Sequence, residues 1–215
     1  MNKIIRKIQY SEKVYRFDVE APLIAKSRKA GNFVIIRVDA NSERMPLTIA
    51  DADIEKGTIT LVVQKVGLSS TKLCNLNEGD EIHDVVGPLG NPTHIENFGT
   101  VLCAGGGVGV APMLPIIKAL KAAGNRVLSV IAGRSKDLVI MEDEVRASSD
   151  ELIIMTDDGS YGEKGVVTVG MEKLIQQEHI DKAFAIGPPI MMKFCCLLTQ
   201  KYNLSTDVSL NTIMV

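Results

Sequence analysis

The sequence predicts two domains, an N-terminal antiparallel β-barrel over residues 1–97 and a C-terminal three-layer α/β domain with a parallel sheet over residues 98–215. Three observations predict it. Up to about residue 95, short segments rich in β-branched residues alternate with turn clusters, the rhythm of a small barrel or sandwich. From Thr100 onward, short and nearly all-apolar segments alternate with helical ones, which calls for a parallel sheet covered on both faces. The stretch 92–98, punctuated by Gly99, separates the two patterns, and 215 residues accommodate both domains at roughly 100–200 residues each.

In the first half, strands are expected at 14–19, 33–38, 58–66 and 80–86, with turns at Gly31-Asn32, Glu55-Lys56-Gly57 and Asn77-Glu78-Gly79-Asp80. Arg44-Met45-Pro46-Leu47-Thr48 follows the second strand. Gly67-Leu68-Ser69-Ser70-Thr71 precedes a short helical stretch at 72–76, and its glycine and hydroxyls suit either an ordinary helix cap or an anion seat. Gly87-Pro88-Leu89-Gly90-Asn91-Pro92 reads as a rigid double turn closing the barrel. In the second half, strands at 100–104, 126–132, 151–155 and 182–186 alternate with helices at 112–123, 142–147, 169–177 and 190–201.

Composition excludes several classes. Lys plus Arg number 24 against 26 Asp plus Glu, so there is no basic stripe for nucleic acid. Trp is absent and aromatics are 4%, which removes stacking platforms for single strands. No apolar run suits a signal peptide or a membrane span, so a cytoplasmic protein is expected. Cys74, Cys103, Cys195 and Cys196 lack CxxC spacing, which suits buried thiols rather than zinc, a cluster or disulfides, and no metal site is expected in this chain.

Four loops stand where the strands of the second domain should end. Gly105-Gly106-Gly107-Val108-Gly109-Val110-Ala111-Pro112 joins a strand to an apolar helix, where glycines admit a phosphate and the helix end offers free N–H donors. The dehydrogenase fingerprint is not met, because Val110 stands where a third Gly or Ala is wanted. The others are Gly133-Arg134-Ser135, Thr156-Asp157-Asp158-Gly159-Ser160-Tyr161-Gly162 and Gly187-Pro188-Pro189. In an open α/β sheet such loops converge on one ligand crevice. Asp157-Asp158 reads equally as an ordinary turn and cap.

Taken in order, Arg44-x-Pro46-Leu47-Thr48, Gly67-x-x-Ser70-Thr71, Gly87-Pro88-Leu89-Gly90, Gly105-Gly106-Gly107-x-Gly109-x-Ala111-Pro112, Thr156-Asp157-Asp158-Gly159-Ser160-Tyr161-Gly162 and Gly187-Pro188-Pro189-x-Met191-Met192 resemble the ferredoxin–NADP reductase superfamily. Within it the chain is similar to the small subunit of NADH-dependent ferredoxin:NADP oxidoreductase, also called sulfide dehydrogenase, and to its near relative, the electron-transfer subunit of dihydroorotate dehydrogenase. The resemblance implies an FAD-binding barrel, a nicotinamide-nucleotide domain and a flavin at their interface. Arg44 would then bind the FAD phosphates, Pro46, Leu47, Thr48, Val62 and Val63 would line the flavin, and Gly67, Ser69, Ser70 and Thr71 would hold the pyrophosphate. Gly106, Gly107, Val108 and Gly109 would take the nicotinamide nucleotide with Gly133, Arg134, Asp157, Asp158, Gly159, Gly187, Pro188 and Met191. No catalytic residue is implied, because the cofactors carry the chemistry.

Two departures stand out. Pro46 replaces the aromatic residue of many superfamily members. The close relatives continue past the equivalent of Val215 into a cysteine-rich [2Fe-2S] segment, whereas this chain stops at Asn211-Thr212-Ile213-Met214-Val215, so a truncated chain is expected.

The implied function is an NAD(P)H-dependent flavin oxidoreductase subunit that passes electrons to an iron–sulfur partner. That partner would be a larger iron–sulfur flavoprotein subunit in a hetero-oligomer, with ferredoxin as a further one. The alternatives are an electron-transfer subunit serving a dihydroorotate dehydrogenase and a non-catalytic flavin- or nucleotide-binding redox sensor. Arg134, with no acid beside it in sequence, leans toward NADP(H). The resemblance leans toward NAD(H), which is the expectation adopted.

Overall fold

The computed structural model describes residues 2–210, and the apolar stop at 211–215 lies outside the described residues. The chain divides into two compact units between Thr93 and His94. Each unit carries its own sheet.

The first unit runs β1 (Asn2–Gln9), β2 (Val14–Glu20), α1 (Pro22–Ser27), β3 (Phe33–Arg37), β4 (Met45–Asp53), β5 (Thr58–Gln64), α2 (Leu68–Asn75), β6 (Glu81–Ile82) and β7 (Asp84–Leu89). Its strands pair antiparallel in the order β6-β1-β2-β5-β4-β3-β7. The two ends of that order are one stretch of chain, since His83 alone separates β6 from β7. The sheet therefore curls back on itself, and the His83 amide donates to Val38 O at 3.3 Å across the corner. Alternation sends Ile4, Phe17, Val34, Ile36, Ile59 and Leu61 inward, all fully buried. Helix α2 adds Leu73 and Cys74 to the same core. At its far end the Lys7 ammonium donates to Cys74 O (2.8 Å) and Leu76 O (2.7 Å), capping the last carbonyls.

Several elements differ from expectation. Strand β1 was masked in the sequence by its charges: of its residues only Ile4 is fully buried, while Lys3, Ile5 and Arg6 face solvent. Helix α1 holds six residues and persists by burying Ile24 and Ala25. The segment after Arg44, for which no strand was expected, is β4, and Pro46 is tolerated there because this half of β4 pairs with β3 alone, β5 joining only from Ile49. Helix α2 starts at Leu68, four residues earlier than expected. Gly87, Pro88 and Leu89 are not a double turn but continue β7, through a register shift against β3 that lets Gly87 press on Val34.

The second unit runs β8 (Thr100–Gly106), a 3-10 turn (Gly107–Gly109), α3 (Val110–Ala122), β9 (Arg126–Gly133), α4 (Glu142–Ser148), β10 (Glu151–Thr156), β11 (Glu163–Lys164), α5 (Val167–Gln177), β12 (Lys182–Ile186), α6 (Pro189–Lys201) and β13 (Thr206–Val208). All strands are parallel, in the order β11-β10-β9-β8-β12-β13. Leu102, Ala104, Leu128 and Val130 face α5 and α6, where Met171, Leu174, Cys195 and Leu198 complete one core layer. The alternate residues Val101, Cys103, Val127 and Ile131 are equally buried on the face that α3 and α4 cover. Strands β11 and β13, two and three residues long, are too short to leave a periodic signal. Among the described residues no helix is long and apolar enough to cross a membrane, and no group of three or more His, Cys, Asp or Glu could hold a metal ion.

Candidate dinucleotide-binding sites

On the first unit the candidate residues gather around the start of α2. Gly67 is the N-cap, and Thr71 N closes the first helical bond to Gly67 O at 2.9 Å. The amides of Leu68, Ser69 and Ser70 have no acceptor within the helix, as at any helix start. The Ser70 hydroxyl accepts from Val66 N (3.0 Å) and Gly67 N (2.9 Å) and donates to Gly67 O (3.1 Å), so it shapes the turn from within. Ser69 and Thr71 are half-buried.

Gly67 is the informative residue. Its φ of −141° is extended backbone that any residue adopts, and a Cβ built there meets nothing within 4 Å. Neither backbone nor packing demands a glycine there, and the space beside the unpaired amides is open. A phosphate beside unpaired amides fits that cradle.

Arg44, immediately before β4, is exposed and has no ion pair or hydrogen bond among the described residues. The loop that carries it is fastened to α2. Lys72 donates to Asp39 Oδ2 (3.0 Å) and Ser42 Oγ (3.3 Å), and Asp39 in turn accepts from Asn41 N at 2.9 Å. Hydrogen bonding from Lys72, then from Ser42, holds the Asp39 carboxyl down at about 2. Pro46 is exposed on β4, Leu47 and Thr48 are half-buried beside it, and Val62 is half-buried on β5. Val63 points into the barrel core, which leaves only its backbone for a ligand.

On the second unit the loops after β8 and β12 meet at the point where the strand order reverses direction. They pack without slack: a Cβ at Gly109 would fall 2.5 Å from Ile186 O, one at Gly187 would fall 2.6 Å from Met191 Cε, and one at Gly106 would overlap Met191 Sδ. These glycines, with Met191, are explained by loop-on-loop packing. Gly107 is different, for its φ is +54° and a Cβ there meets nothing within 4 Å. Its backbone requires a glycine, and the open space beside this 3-10 turn, just before α3, admits a phosphate as the space at Gly67 does. Val108 is half-buried beside it and Pro188, the N-cap of α6, is exposed.

The loops after β9 and β10 are cross-braced. Asp157 N donates to Gly133 O (3.1 Å), Asp158 N to Arg134 O (3.2 Å) and Lys136 N to Ser160 Oγ (2.9 Å). Thr156 Oγ1, fully buried, donates to Tyr161 O at 2.6 Å and closes the base of the second loop. The Tyr161 hydroxyl donates to both oxygens of Glu142 on α4, at 2.9 and 3.1 Å, and that carboxylate raises the hydroxyl above its usual range. Asp158 accepts from Ser160 N at 2.9 Å, and its hydrogen bonds to Ser160 hold it below the usual carboxylate range. It builds the turn, along with exposed Gly159 at φ +76°. The side chains of Asp157 and Arg134 are exposed and make no hydrogen bond or ion pair among the described residues.

The structure thus braces the loop of Asp157 against the loop of Arg134, although 23 positions separate the two residues in sequence. Reasoning from sequence named Arg134 and Asp157 and expected their loops to converge, but it missed Asp39, Ser42 and Lys72. An Asp-x-x-Ser turn before Arg44 was the available signal for the first two.

No family model matches the chain. The dihydroorotate dehydrogenase B (NAD(+)) electron transfer subunit homolog of Thermotoga maritima is 48% identical over 215 residues, covering 100% of this chain and 76% of that protein. The dihydroorotate dehydrogenase B (NAD(+)) electron transfer subunit of Fusobacterium nucleatum is 31% identical over 194 residues, covering 86% and 74%. Among solved structures, a chain of the NADH-dependent reduced ferredoxin-NADP oxidoreductase, studied for flavin-based electron bifurcation, superposes with a TM-score of 0.94 at 45% identity, covering 100% of this chain and 78% of that one.

Proposed function

Since the chain belongs to the family of dihydroorotate dehydrogenase B electron-transfer subunits and their homologues, we propose that it is a flavoprotein oxidoreductase subunit. In this reading it exchanges hydride between a nicotinamide nucleotide and FAD and relays electrons to an iron–sulfur partner subunit. FAD, when bound, supplies the conversion between two-electron exchange with nicotinamide and one-electron transfer onward. The observation that carries the reading is the pair of open spaces at Gly67 and Gly107, each beside the unpaired amides of a helix start and each in a different unit.

The chain's own residues would do the holding. Arg44 offers a permanent cation and α2 its free amides to the flavin pyrophosphate, while Pro46, Leu47 and Thr48 offer an extended, partly apolar edge to the ring system. The 3-10 turn at Gly107–Gly109 and the start of α3 would take the second dinucleotide's phosphates. Asp157, on the loop braced against that of Arg134, supports NAD(H) over NADP(H), because a carboxylate accepts ribose hydroxyls and repels a 2′-phosphate. The partner reading follows the 45% identity and NADH dependence of the oxidoreductase chain, with a larger iron–sulfur flavoprotein subunit as the acceptor. A second reading, service to a dihydroorotate dehydrogenase, rests on the relatives that carry that name.

The test is stopped-flow reduction of the FAD-reconstituted chain by NADH and by NADPH, in the wild type and in Arg134→Ala. The expected result is stoichiometric FAD, bleached faster by NADH in both proteins. A bound flavin that neither nucleotide reduces would leave a non-catalytic module instead. An NADPH preference that vanishes in Arg134→Ala would overturn the NAD(H) assignment.

A further inference from the structure

We infer that Lys72 is a positioning residue for the flavin phosphate grip, setting the Arg44 loop on α2 through Asp39 and Ser42. The inference rests on the flavin reading above and adds to it a residue that would touch no part of the flavin.

Two separate pieces of chain offer charge and amides to one pyrophosphate. The amides belong to α2 and are fixed by the Ser70 turn and by the Lys7 cap at the other end of the helix. Arg44 belongs to the loop between β3 and β4, and a long exposed side chain on a loop is costly to order. The loop therefore needs an anchor close to Arg44. Ser42 stands two residues before it, and the loop turns there through Ser42 N donating to Asp39 O at 3.1 Å. Lys72, on the second turn of α2, reaches both Asp39 and Ser42.

The same contacts settle a question of charge. A lysine one turn from the seat could itself serve a phosphate, but its ammonium is committed to Asp39 at 3.0 Å. Asp39, only five residues from Arg44, could otherwise draw that guanidinium away from the ligand. With Lys72 satisfying Asp39, Arg44 is left without a partner among the described residues. The lysine thus acts on the flavin only through Arg44, by keeping the loop in place and its carboxylate occupied.

The test strips the full chain of flavin and titrates it with FAD, following quenching of flavin fluorescence, in Lys72→Met, Lys72→Arg, Arg44→Ala and the Lys72→Met/Arg44→Ala double variant. Lys72→Met should weaken FAD about fivefold, the upper end for a half-exposed ion pair, and Lys72→Arg should restore most of it. The thermal midpoint of the flavin-free protein should stay close to that of the wild type. In the Arg44→Ala background the lysine change should have almost no further effect, because residues that act through one another are not additive. An equal loss in both backgrounds, or parent affinity in Lys72→Met while Arg44→Ala loses FAD, overturns the inference. If Arg44→Ala itself retains parent affinity, the flavin-site reading falls instead.

Discussion

At the scale of single residues, the glycines separate into those that packing requires and those that packing leaves open. Gly109 is of the first kind, its missing Cβ occupied by Ile186 O and the Gly187 backbone, and Gly107 is of the second. Sequence reasoning treats them alike, as members of one glycine-rich loop, because the opposing loop eighty residues further on is invisible locally. Two alanine substitutions should behave differently. Gly109→Ala should lower stability by about 1–3 kcal/mol through overpacking against backbone, seen as an earlier thermal transition. Gly107→Ala should cost about 1 kcal/mol for a side chain in the left-handed region but slow reduction of the bound flavin by NADH at least tenfold. Equal rates in wild type and Gly107→Ala would remove this residue from the nucleotide site.

At the scale of elements, legibility follows how many faces of a segment are buried. The central strands of the second unit are apolar on both faces, so β8, β9, β10 and β12 stand out from sequence almost to the residue. Barrel strand β1 shows the core one face and solvent the other, and its lysines hide it. The same strand illustrates what charge does inside a fold. Lys7 is half-buried, caps the end of α2 and lies 5.3 Å from the centre of the Tyr15 ring. Lys7→Met should cost about 1–3 kcal/mol, because two carbonyls lose their donor, and urea unfolding would measure it. A variant as stable as the wild type would mean that water replaces the ammonium at no cost. The candidate site was legible as far as its motifs reached, in the turn at Gly67 and the loops after the strands. The hydrogen bonds that brace the Asp157 loop against the Arg134 loop and the Lys72 tie depend on elements meeting in space, which no local pattern encodes.

At the scale of the whole molecule, the four cysteines report on both units. Cys74 lies in the core of the first, Cys103 and Cys195 in the second, and only Cys196 is half-exposed. Burial, then the neighbouring Cys196, pushes the Cys195 thiol up to about 12, and burial alone raises Cys103 further. Since the thiolate is the reactive form, an alkylating reagent at neutral pH should modify Cys196 first and reach Cys103 and Cys195 only under denaturant. Peptide mass mapping across a urea series would follow each unit by its own thiols, and early labelling of Cys103 would contradict the packing of β8. Finally, the His83 corner has a bearing on assembly. Because it makes the outermost strands of the first sheet a single piece of chain, both margins of that sheet turn one corner, β6 lying along Asn2 and Lys3 and β7 along β3. The second sheet ends on strands of two and three residues. Strands this short carry few unpaired amides, so at the margins formed by β6, β11 and β13 a docking subunit has to recognise side chains and loops rather than add a strand.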